Sequence, residues 1–310
     1  MKNMIKMYYW GLICCFLSFC WACTDDSEDV NSTDLDIDWF VVEDSENPID
    51  HLIYTVYEKY GVPIYYDDTI GKRDRGEYNM SGEKIIFYKV LQPEYTISSH
   101  TSTLTIKKVD KANKETLKDI VEILRDEVLL LLPEKFFPLS FYVVDELKES
   151  GTESSFYKGL ETTILGNVVS LASMSEEERV KYSTDVLARL WAAGLMRFHE
   201  REINEFFRIT NEIFGANIYD KDLTTTTIPH KESNPEDAGM LYYHTTYLED
   251  WDWWTVKTPT QEEDLRSFLI EIINGDQEVF LDKYKDCRYV LAKYNYLREL
   301  MNKILIGNKF

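Results

Sequence analysis

The first 23 residues constrain this chain most, because they separate a leader from the part that can fold. Two lysines fall within the first six positions, and Met7–Ala22 is a mainly apolar stretch of 16 residues directly before Cys23. A membrane-spanning helix needs about 20 apolar residues, so this stretch is short for a permanent anchor. A basic start, a short apolar core and a small residue before a cysteine are typical of a bacterial lipoprotein signal. The sequence therefore predicts a signal peptide over residues 1–22 and a lipid anchor on Cys23.

The segment after Cys23, residues 23–45, is polar, acidic and aperiodic. Such a composition favours a flexible tether between the membrane and a folded domain over residues 46–310. The acidic run Thr24–Asp29 is similar to the export tag that sends some Gram-negative lipoproteins to the outer face of the outer membrane, and a solvated linker is the alternative interpretation. We therefore expect an outer-membrane protein that is exposed at the cell surface.

The charge of the chain limits its partners. The chain has 34 basic and 55 acidic side chains, which give a formal net charge of −21. A chain this acidic is repelled by nucleic acid and by anionic lipid, so the expected membrane contact is the anchor on Cys23. Three of the five cysteines belong to the leader, and Cys287 is the single thiol that remains, so a disulfide framework is excluded.

The front of the domain, residues 46–174, mixes helical and extended patterns. Ile49–Tyr60 has one apolar face and ends at Gly61, and Glu115–Leu132 has a longer apolar stripe that ends at Pro133. Both patterns predict helices. Extended runs are predicted at Val62–Tyr66, Lys84–Val90, Ser102–Lys107, Leu139–Val144 and Thr162–Leu171.

The back of the domain, residues 175–310, is predicted to be mainly helical. Ser175 with Glu178, and Thr260 with Glu263, form capping boxes, in which a hydroxyl and a glutamate each bind the other's backbone amide. The predicted helices are Ser175–Phe198, Glu200–Phe214, Thr260–Gly275, Gln277–Tyr284 and Cys287–Ile306, and residues 216–256 are predicted to be largely loop. The two halves together predict an α+β fold.

His199 and Glu200 begin like the HExxH motif, in which two histidines four positions apart bind zinc and the glutamate acts as general base. The second histidine is missing, because position 203 is isoleucine, which has no lone pair to donate. We therefore predict no metal ligand, no catalytic residue and no cofactor. The alternative is a zinc metallohydrolase that combines His199 and Glu200 with the acids of residues 249–252.

The densest cluster of functional side chains lies in the predicted loop. Its carboxylates could act as acid and base, and its rings could stack on sugars; alternatively, the rings pack the loop onto the helices while the acids face water. The candidate ligand-binding residues are Tyr242, Tyr243, Glu249, Asp250, Trp251, Asp252, Trp253 and Trp254. A surface carbohydrate-binding protein would use the aromatic members as a stacking platform.

Several segments resemble one known family. Ile49–Ile64 resembles a family helix and the strand after it, Glu205–Thr210 resembles the segment downstream of the family's zinc helix, and Thr258–Ile273 resembles a later helix. The chain is thus similar to the zinc metallopeptidase lipoproteins that are encoded beside TonB-dependent importers. The resemblance covers most of residues 48–307 and implies a gluzincin-like fold and a place in substrate uptake.

Counting back from Glu205 without a gap puts the family's HExxH motif on residues 190–194. Leu190 and Gly194 take the places of the two histidine ligands, and Trp191 takes the place of the glutamate base. None of these three side chains can bind zinc or carry a proton. We expect the indole either to fill the emptied cleft or to form the floor of an apolar pocket.

The resemblance therefore implies a catalytically inactive relative, acting as an accessory or binding subunit in glycan or peptide uptake beside a TonB-dependent importer complex. Two other functions stay open. One is an active metallohydrolase with a non-standard ligand set, for which zinc would be the cofactor. The other is the surface carbohydrate-binding protein.

Overall fold

A computed structural model describes residues 37–93, 103–223, 234–248 and 253–307, with the backbone alone at positions 75, 248, 253 and 254. The chain divides into two units, Met1–Trp39 and Phe40–Phe310, and the second unit contains all the elements described below. The predicted signal peptide and Cys23 lie outside the described residues. In the described part, no helix is both long enough and apolar enough to cross a membrane.

The first helix, α1 (Pro48–Tyr60), forms as predicted. Its N-terminus is capped by Asn47, whose Oδ1 accepts hydrogen bonds from the backbone amides of Ile49 and Asp50. Its C-terminus is Gly61, which takes a left-handed conformation with φ of 69°, where glycine avoids the steric cost of a Cβ. Local signals at both ends thus determine the length of this helix.

The central sheet has four short strands. The strands β1 (Ile64–Tyr65), β5 (Phe141–Val143) and β9 (Thr163–Leu165) run parallel, and β8 (Phe156–Lys158) is an antiparallel edge strand. Their order across the sheet is β1, β5, β9, β8. Every residue of β5 and β9 is buried, which explains why their sequences are continuously apolar or uncharged. The predicted runs Val62–Tyr66 and Leu139–Val144 are confirmed as shorter strands. The run Thr162–Leu171 is confirmed only at its start, because Val169–Ser173 is a 3-10 turn.

Five further strands build two small antiparallel sheets beside the central one. The first sheet is a hairpin of β2 (Thr69–Tyr78) and β3 (Lys84–Val90), and the second contains β4 (Leu104–Lys107), β6 (Glu146–Glu149) and β7 (Thr152–Glu153). Strand β3 has the predicted bounds. Strand β2 was not predicted, because its glycines and alternating charges have low β propensity.

The prediction of one continuous α-helix over Glu115–Leu132 is wrong, because the backbone changes its hydrogen-bond pattern along the segment. The segment consists of a 3-10 turn (Lys111–Leu117), helix α2 (Lys118–Ile123) and a π turn (Leu124–Val128). The amide of Leu129 accordingly donates to the carbonyl of Leu124, five residues back, at 2.8 Å. The apolar side chains from Leu117 to Leu129 and that of Leu132 are nevertheless buried, whereas Leu130 and Leu131 are exposed. Side-chain periodicity predicted which residues are inside, but it does not distinguish neighbouring helical hydrogen-bond patterns.

The helical half is largely as predicted. Its helices are α3 (Glu176–Phe198), α4 (Glu200–Phe214), α5 (Gln261–Asn274), α6 (Gln277–Lys283) and α7 (Arg288–Gly307). Both capping boxes are present, at Ser175 with Glu178 and at Thr260 with Glu263. Helix α3 packs along α5, and α7 packs against α4 and α5.

The prediction that residues 216–256 are largely loop is wrong in its second part. Strands β10 (His244–Leu248) and β11 (Trp253–Lys257) form an antiparallel hairpin there. Both strands are rich in threonine and aromatic residues, which favour strands, but the acids between them made the segment look like a loop. The described chain is about half helical with several small sheets, and this confirms a mixed α and β architecture.

A buried ion pair joins the elements of the helical half. Lys293 Nζ on α7 lies 2.5 Å from Asp264 Oδ2 on α5, and both side chains are fully inaccessible to solvent. The hydroxyl of Tyr219 donates to the same carboxylate oxygen at 2.8 Å, and Lys293 Nζ donates to Thr210 Oγ1 on α4 at 3.1 Å. The ring of Phe206 lies 4.2 Å from the ammonium nitrogen. The pair therefore joins three helices and the segment of Tyr219.

Burial works against both charges of this pair. Desolvation raises the pKa of Asp264 and lowers the pKa of Lys293, while the attraction between the two groups opposes both shifts. Asp264 Oδ1 has no hydrogen-bond partner among the described residues. A buried charge that loses its partner costs about 3–5 kcal/mol, so each group depends on the other.

We expect Lys293→Met to lower the free energy of unfolding by about 3–5 kcal/mol, because Asp264 keeps its burial and loses its counter-charge. The double variant Lys293→Met/Asp264→Leu should recover most of that loss. Urea unfolding of residues 24–310, followed by circular dichroism, measures both values. Lys285→Met is the matched control, because Lys285 pairs with Asp282 on the exposed surface, and such pairs contribute about 0–1 kcal/mol. A loss for Lys293→Met no larger than for this control would contradict the assignment.

Candidate functional site

The three positions that the resemblance compares with a zinc motif lie inside the protein on α3. Leu190 is 3% exposed and Trp191 is 1% exposed, and Gly194 is also buried. Of the two expectations for the indole, the structure shows the first, a filled core. The side chains at these positions have no atom that can bind zinc, and their burial leaves no open pocket there.

Phe136 fills the space in front of Gly194. It ends a 3-10 turn (Glu134–Phe136) that follows Pro133, and its ring packs edge-on against Trp191 with centroids 5.3 Å apart. A Cβ atom added to Gly194 would lie 2.2 Å from Phe136 Cγ, far inside van der Waals contact. The other side of the Phe136 ring stacks on Phe198 at 5.9 Å. We call Phe136, Trp191, Gly194 and Phe198 the aromatic plug.

His199 lies between two helices, because it ends α3 and precedes α4. Its ring borders an open cleft of about 520 Å³ that Glu202 and Tyr296 also line. Glu200 is not among the lining residues, so the structure does not bring the half motif His199-Glu200 together at this cleft. No group of three or more histidine, cysteine or acidic side chains among the described residues could hold a metal ion.

The base of the β10–β11 hairpin is held against the body of the protein. The amide of Leu223 donates to the carbonyl of Val256 at 2.7 Å, and Lys257 Nζ lies 2.5 Å from Asp220 Oδ1. Thr258 Oγ1 donates to the carbonyl of Ile218 at 2.5 Å. The hairpin therefore begins from a fixed position, directly next to the N-terminus of α5.

Tyr242 and His244 lie at this base. Their rings meet edge-on at 5.2 Å, and His244 Nε2 is 3.2 Å from Glu263 Oε2. Burial alone would raise the pKa of Glu263, but hydrogen bonds from the backbone and hydroxyl of Thr260 and from His244 keep it below its ordinary value. Burial raises the pKa of Tyr242 to about 12, and the negative charge of Glu263 adds to that rise. At neutral pH the site thus presents a carboxylate and a neutral phenol.

Two arginines complete the polar surface beside Tyr242. Asp185 on α3 lies between Arg189 Nε at 2.8 Å and Arg266 Nε on α5 at 3.8 Å. The guanidinium of Arg189 also lies 5.4 Å above the ring of Phe156 on the edge strand β8. All three charged side chains keep about a quarter of their surface exposed. We call Tyr242, His244, Glu263, Asp185, Arg189 and Arg266 the hairpin-base cluster.

Tyr243 belongs to a different environment from Tyr242. It packs against the core, and its buried hydroxyl has no hydrogen-bond partner in the described part of the chain. Burial raises the pKa of Tyr243 to about 12, with a further contribution from Asp237 and Glu236. The sequence grouped the two tyrosines, but adjacent residues of an extended segment point to opposite sides. Only Tyr242 joins the hairpin-base cluster.

The remaining candidate residues belong to the far end of the hairpin. Glu249, Asp250, Trp251 and Asp252 connect β10 to β11 and lie outside the described residues. The register pairs Leu248 with Trp253 and Tyr247 with Trp254. Since successive positions of a strand belong to opposite faces, positions 253 and 254 do not share a face of the hairpin.

The hairpin-base cluster suits binding by hydrogen bonds. Guanidinium groups donate in a fixed planar geometry to carboxylates and vicinal hydroxyls, and a neutral phenol can donate or accept. The sequence indicated Tyr242 as a candidate and Glu263 as part of a capping box, and the spacing of Asp185 and Arg189 by four positions on a helix is a further local signal. Nothing in the sequence predicted Arg266, because it approaches Asp185 from another helix.

The chain matches no family model, no curated protein and no solved structure. The assignment of its function consequently depends on the residues and geometry described above.

We expect Gly194→Ala to lower the free energy of unfolding by about 1–3 kcal/mol, because its Cβ overlaps the Phe136 ring in a packed core. In a Phe136→Leu background the same substitution should cost less, since the smaller side chain leaves room. Thermal and urea unfolding of the four variants measure this coupling. Gly307→Ala is the control, because a Cβ there meets no atom within 4 Å. Additive effects at positions 136 and 194 would contradict the contact.

Proposed function

We propose that the protein is a catalytically inactive, metallopeptidase-like lipoprotein that binds a glycan or a peptide in a TonB-dependent uptake system of the outer membrane. The observation that carries the proposal is the aromatic plug. Its members Trp191 and Gly194, together with Leu190, stand at the positions where the resembling family has its base and its zinc ligands. The proposal includes a gluzincin-like arrangement, with a small mixed sheet followed by packed helices.

The proposed lack of catalysis follows from the side chains at these three positions. A hydrocarbon, an indole and a hydrogen atom stand in the three functional positions, and none of them coordinates zinc. Moreover, the Phe136 ring lies where the side chain of a ligand at position 194 would extend. Restoring a metal site would therefore require both new donors and removal of a ring from the core.

Binding is supported by the hairpin-base cluster. Its arginines are oriented by Asp185, and Glu263 is held by Thr260 and His244, so the donors and acceptors are fixed before a ligand arrives. Hydrogen bonds to charged groups contribute about 1.5–3 kcal/mol each, and fixed geometry reduces the entropy lost on binding. Glycans and peptides both carry the hydroxyl, amide or carboxylate groups that such donors recognise.

The location is supported by the leader and the acidic segment that follows it. An acyl chain on Cys23 attaches the chain to the membrane, and the tether leaves the domain free to reach a neighbouring importer. The domain then handles its ligand next to the transporter that takes it up.

Purified residues 24–310 should contain far less than one zinc per chain and show no peptide hydrolysis that a chelator abolishes, because the plug offers no ligand. The same preparation should bind at least one class of oligosaccharide or peptide. Metal analysis, a fluorogenic peptide assay with and without chelator, and calorimetric titration give the three readouts. Stoichiometric zinc with chelator-sensitive turnover would overturn the inactive assignment.

Comparing the ligand affinities of two variants tests whether the hairpin-base cluster is the binding site. Tyr242→Ala should weaken affinity about tenfold, which corresponds to one lost ring or hydrogen-bond contact. Tyr78→Ala is the matched control, because Tyr78 is an exposed tyrosine on β2 outside the hairpin-base cluster. Equal affinities of the two variants would remove the hairpin-base cluster from the binding site, and a lack of any bound ligand would contradict the binding function.

Cys23→Ala should abolish both acylation and membrane attachment of the full chain, since acylation needs the thiol. Labelled palmitate incorporation and membrane fractionation in a Gram-negative host measure the two effects. Cys20→Ala is the matched control, because it changes a cysteine inside the predicted signal peptide and should keep the label. Label on the Cys23→Ala chain would contradict the anchor.

A further inference from the structure

The hairpin of β2 and β3 exposes apolar side chains to an unusual extent. Sixteen large apolar side chains are exposed in the described part of the chain, and six of them fall within residues 78–90. They are Tyr78, Met80, Ile85, Ile86, Tyr88 and Val90. Met80, between the two strands, is fully exposed, and Tyr78 and Tyr88 are 62% and 54% exposed. Contiguous apolar surface of this kind marks an interaction site.

The exposed side chains occupy both faces of the hairpin. The register pairs Tyr78 with Lys84, Asp74 with Ile86 and Lys72 with Tyr88. Directly paired residues share a face, so Tyr78, Ile86 and Tyr88 lie on one face, while Ile85 belongs to the other. One face and the connecting turn thus carry most of the exposed apolar side chains, and Ile85 adds one on the other face close to the turn.

The hairpin also differs in charge from the rest of the chain. Residues 69–90 contain five basic and three acidic side chains, a net charge of +2 in a chain of −21. Lys89 pairs with Glu161 outside the hairpin at 2.7 Å, which lowers the local charge from +2 to +1. The Debye length at physiological ionic strength is about 8 Å, so more distant acids are largely screened at this hairpin. The expectation that the acidic chain is repelled by anionic lipid therefore does not extend to this local surface.

These observations favour a fluid anionic partner over a folded one. A rigid protein partner would cover one face of the ribbon and leave the other in water. A bilayer interface surrounds an inserted ribbon on both faces, and tyrosine with lysine suits its boundary, where rings and aliphatic stems are buried while polar ends stay wet. Local positive charge adds attraction to anionic headgroups.

We propose that the β2–β3 hairpin inserts its turn and exposed apolar side chains into the headgroup region of an anionic bilayer. This contact is non-covalent and does not depend on the lipid at Cys23. In the anchored protein it would hold the domain in one orientation relative to the membrane.

The test uses residues 24–310, which lack Cys23, with vesicles of phosphatidylcholine mixed with phosphatidylglycerol and with vesicles of phosphatidylcholine alone. The protein should sediment with the anionic vesicles, and less so with the neutral ones or at high salt. The triple variant Tyr78→Ser/Met80→Ser/Tyr88→Ser should partition at least about tenfold less, because three apolar contacts are lost. The double variant Leu130→Ser/Leu131→Ser is the control, since both leucines are exposed elsewhere and should be dispensable.

A second measurement does not require the triple variant to fold. Met80→Cys in a Cys287→Ser background, labelled with an environment-sensitive dye, should shift to the blue when anionic vesicles are added, whereas the label at Leu130→Cys should not. Absence of vesicle binding, equal binding by the triple variant, or an unshifted Met80 label would overturn the proposal. Self-association of the wild-type protein in sedimentation velocity, lost in the triple variant, would instead assign the hairpin to contact between protein copies.

Discussion

The buried pair of Lys293 and Asp264 is the interaction on which the helical half depends. It joins α4, α5 and α7, and it extends through Tyr219 to the segment that holds the β10–β11 hairpin in place. Water cannot replace either partner at full burial, so both charges keep their place only while the helices stay packed. The geometry of the hairpin-base cluster is thus linked to the integrity of the core.

The aromatic plug is a closely packed part of the core at the positions that the resemblance compares with a zinc motif. A small residue at position 194 allows the Phe136 ring to enter, and Trp191 adds the second ring that closes the space. Leucine, tryptophan and glycine at positions 190, 191 and 194 are buried and offer no zinc ligand, so this part of α3 contributes to packing. The hairpin-base cluster, by contrast, presents fixed polar groups at the surface.

Charge is distributed unevenly over this acidic protein. Residues 24–45 contain acidic and no basic side chains and the whole chain has a net charge of −21, whereas the β2–β3 hairpin has more basic than acidic side chains and exposes apolar ones. Net charge describes solubility and long-range repulsion, but a contact is decided by the groups within a Debye length of it. A lipid anchor and an inserting hairpin would together restrict the domain near the membrane, next to a transporter.

The sequence by itself determined the features that depend on neighbouring residues. The capping boxes at Ser175 and Thr260 and the ends of α1 result from contacts within a few positions. The prediction of a leader before Cys23 likewise uses neighbouring residues alone. Tertiary structure alone decided the contacts of Phe136 with Gly194, Asp185 with Arg266 and Asp264 with Lys293, whose partners lie far apart in the chain. Local propensity carries no information about such pairs, because each partner is selected by the packing of two separate elements.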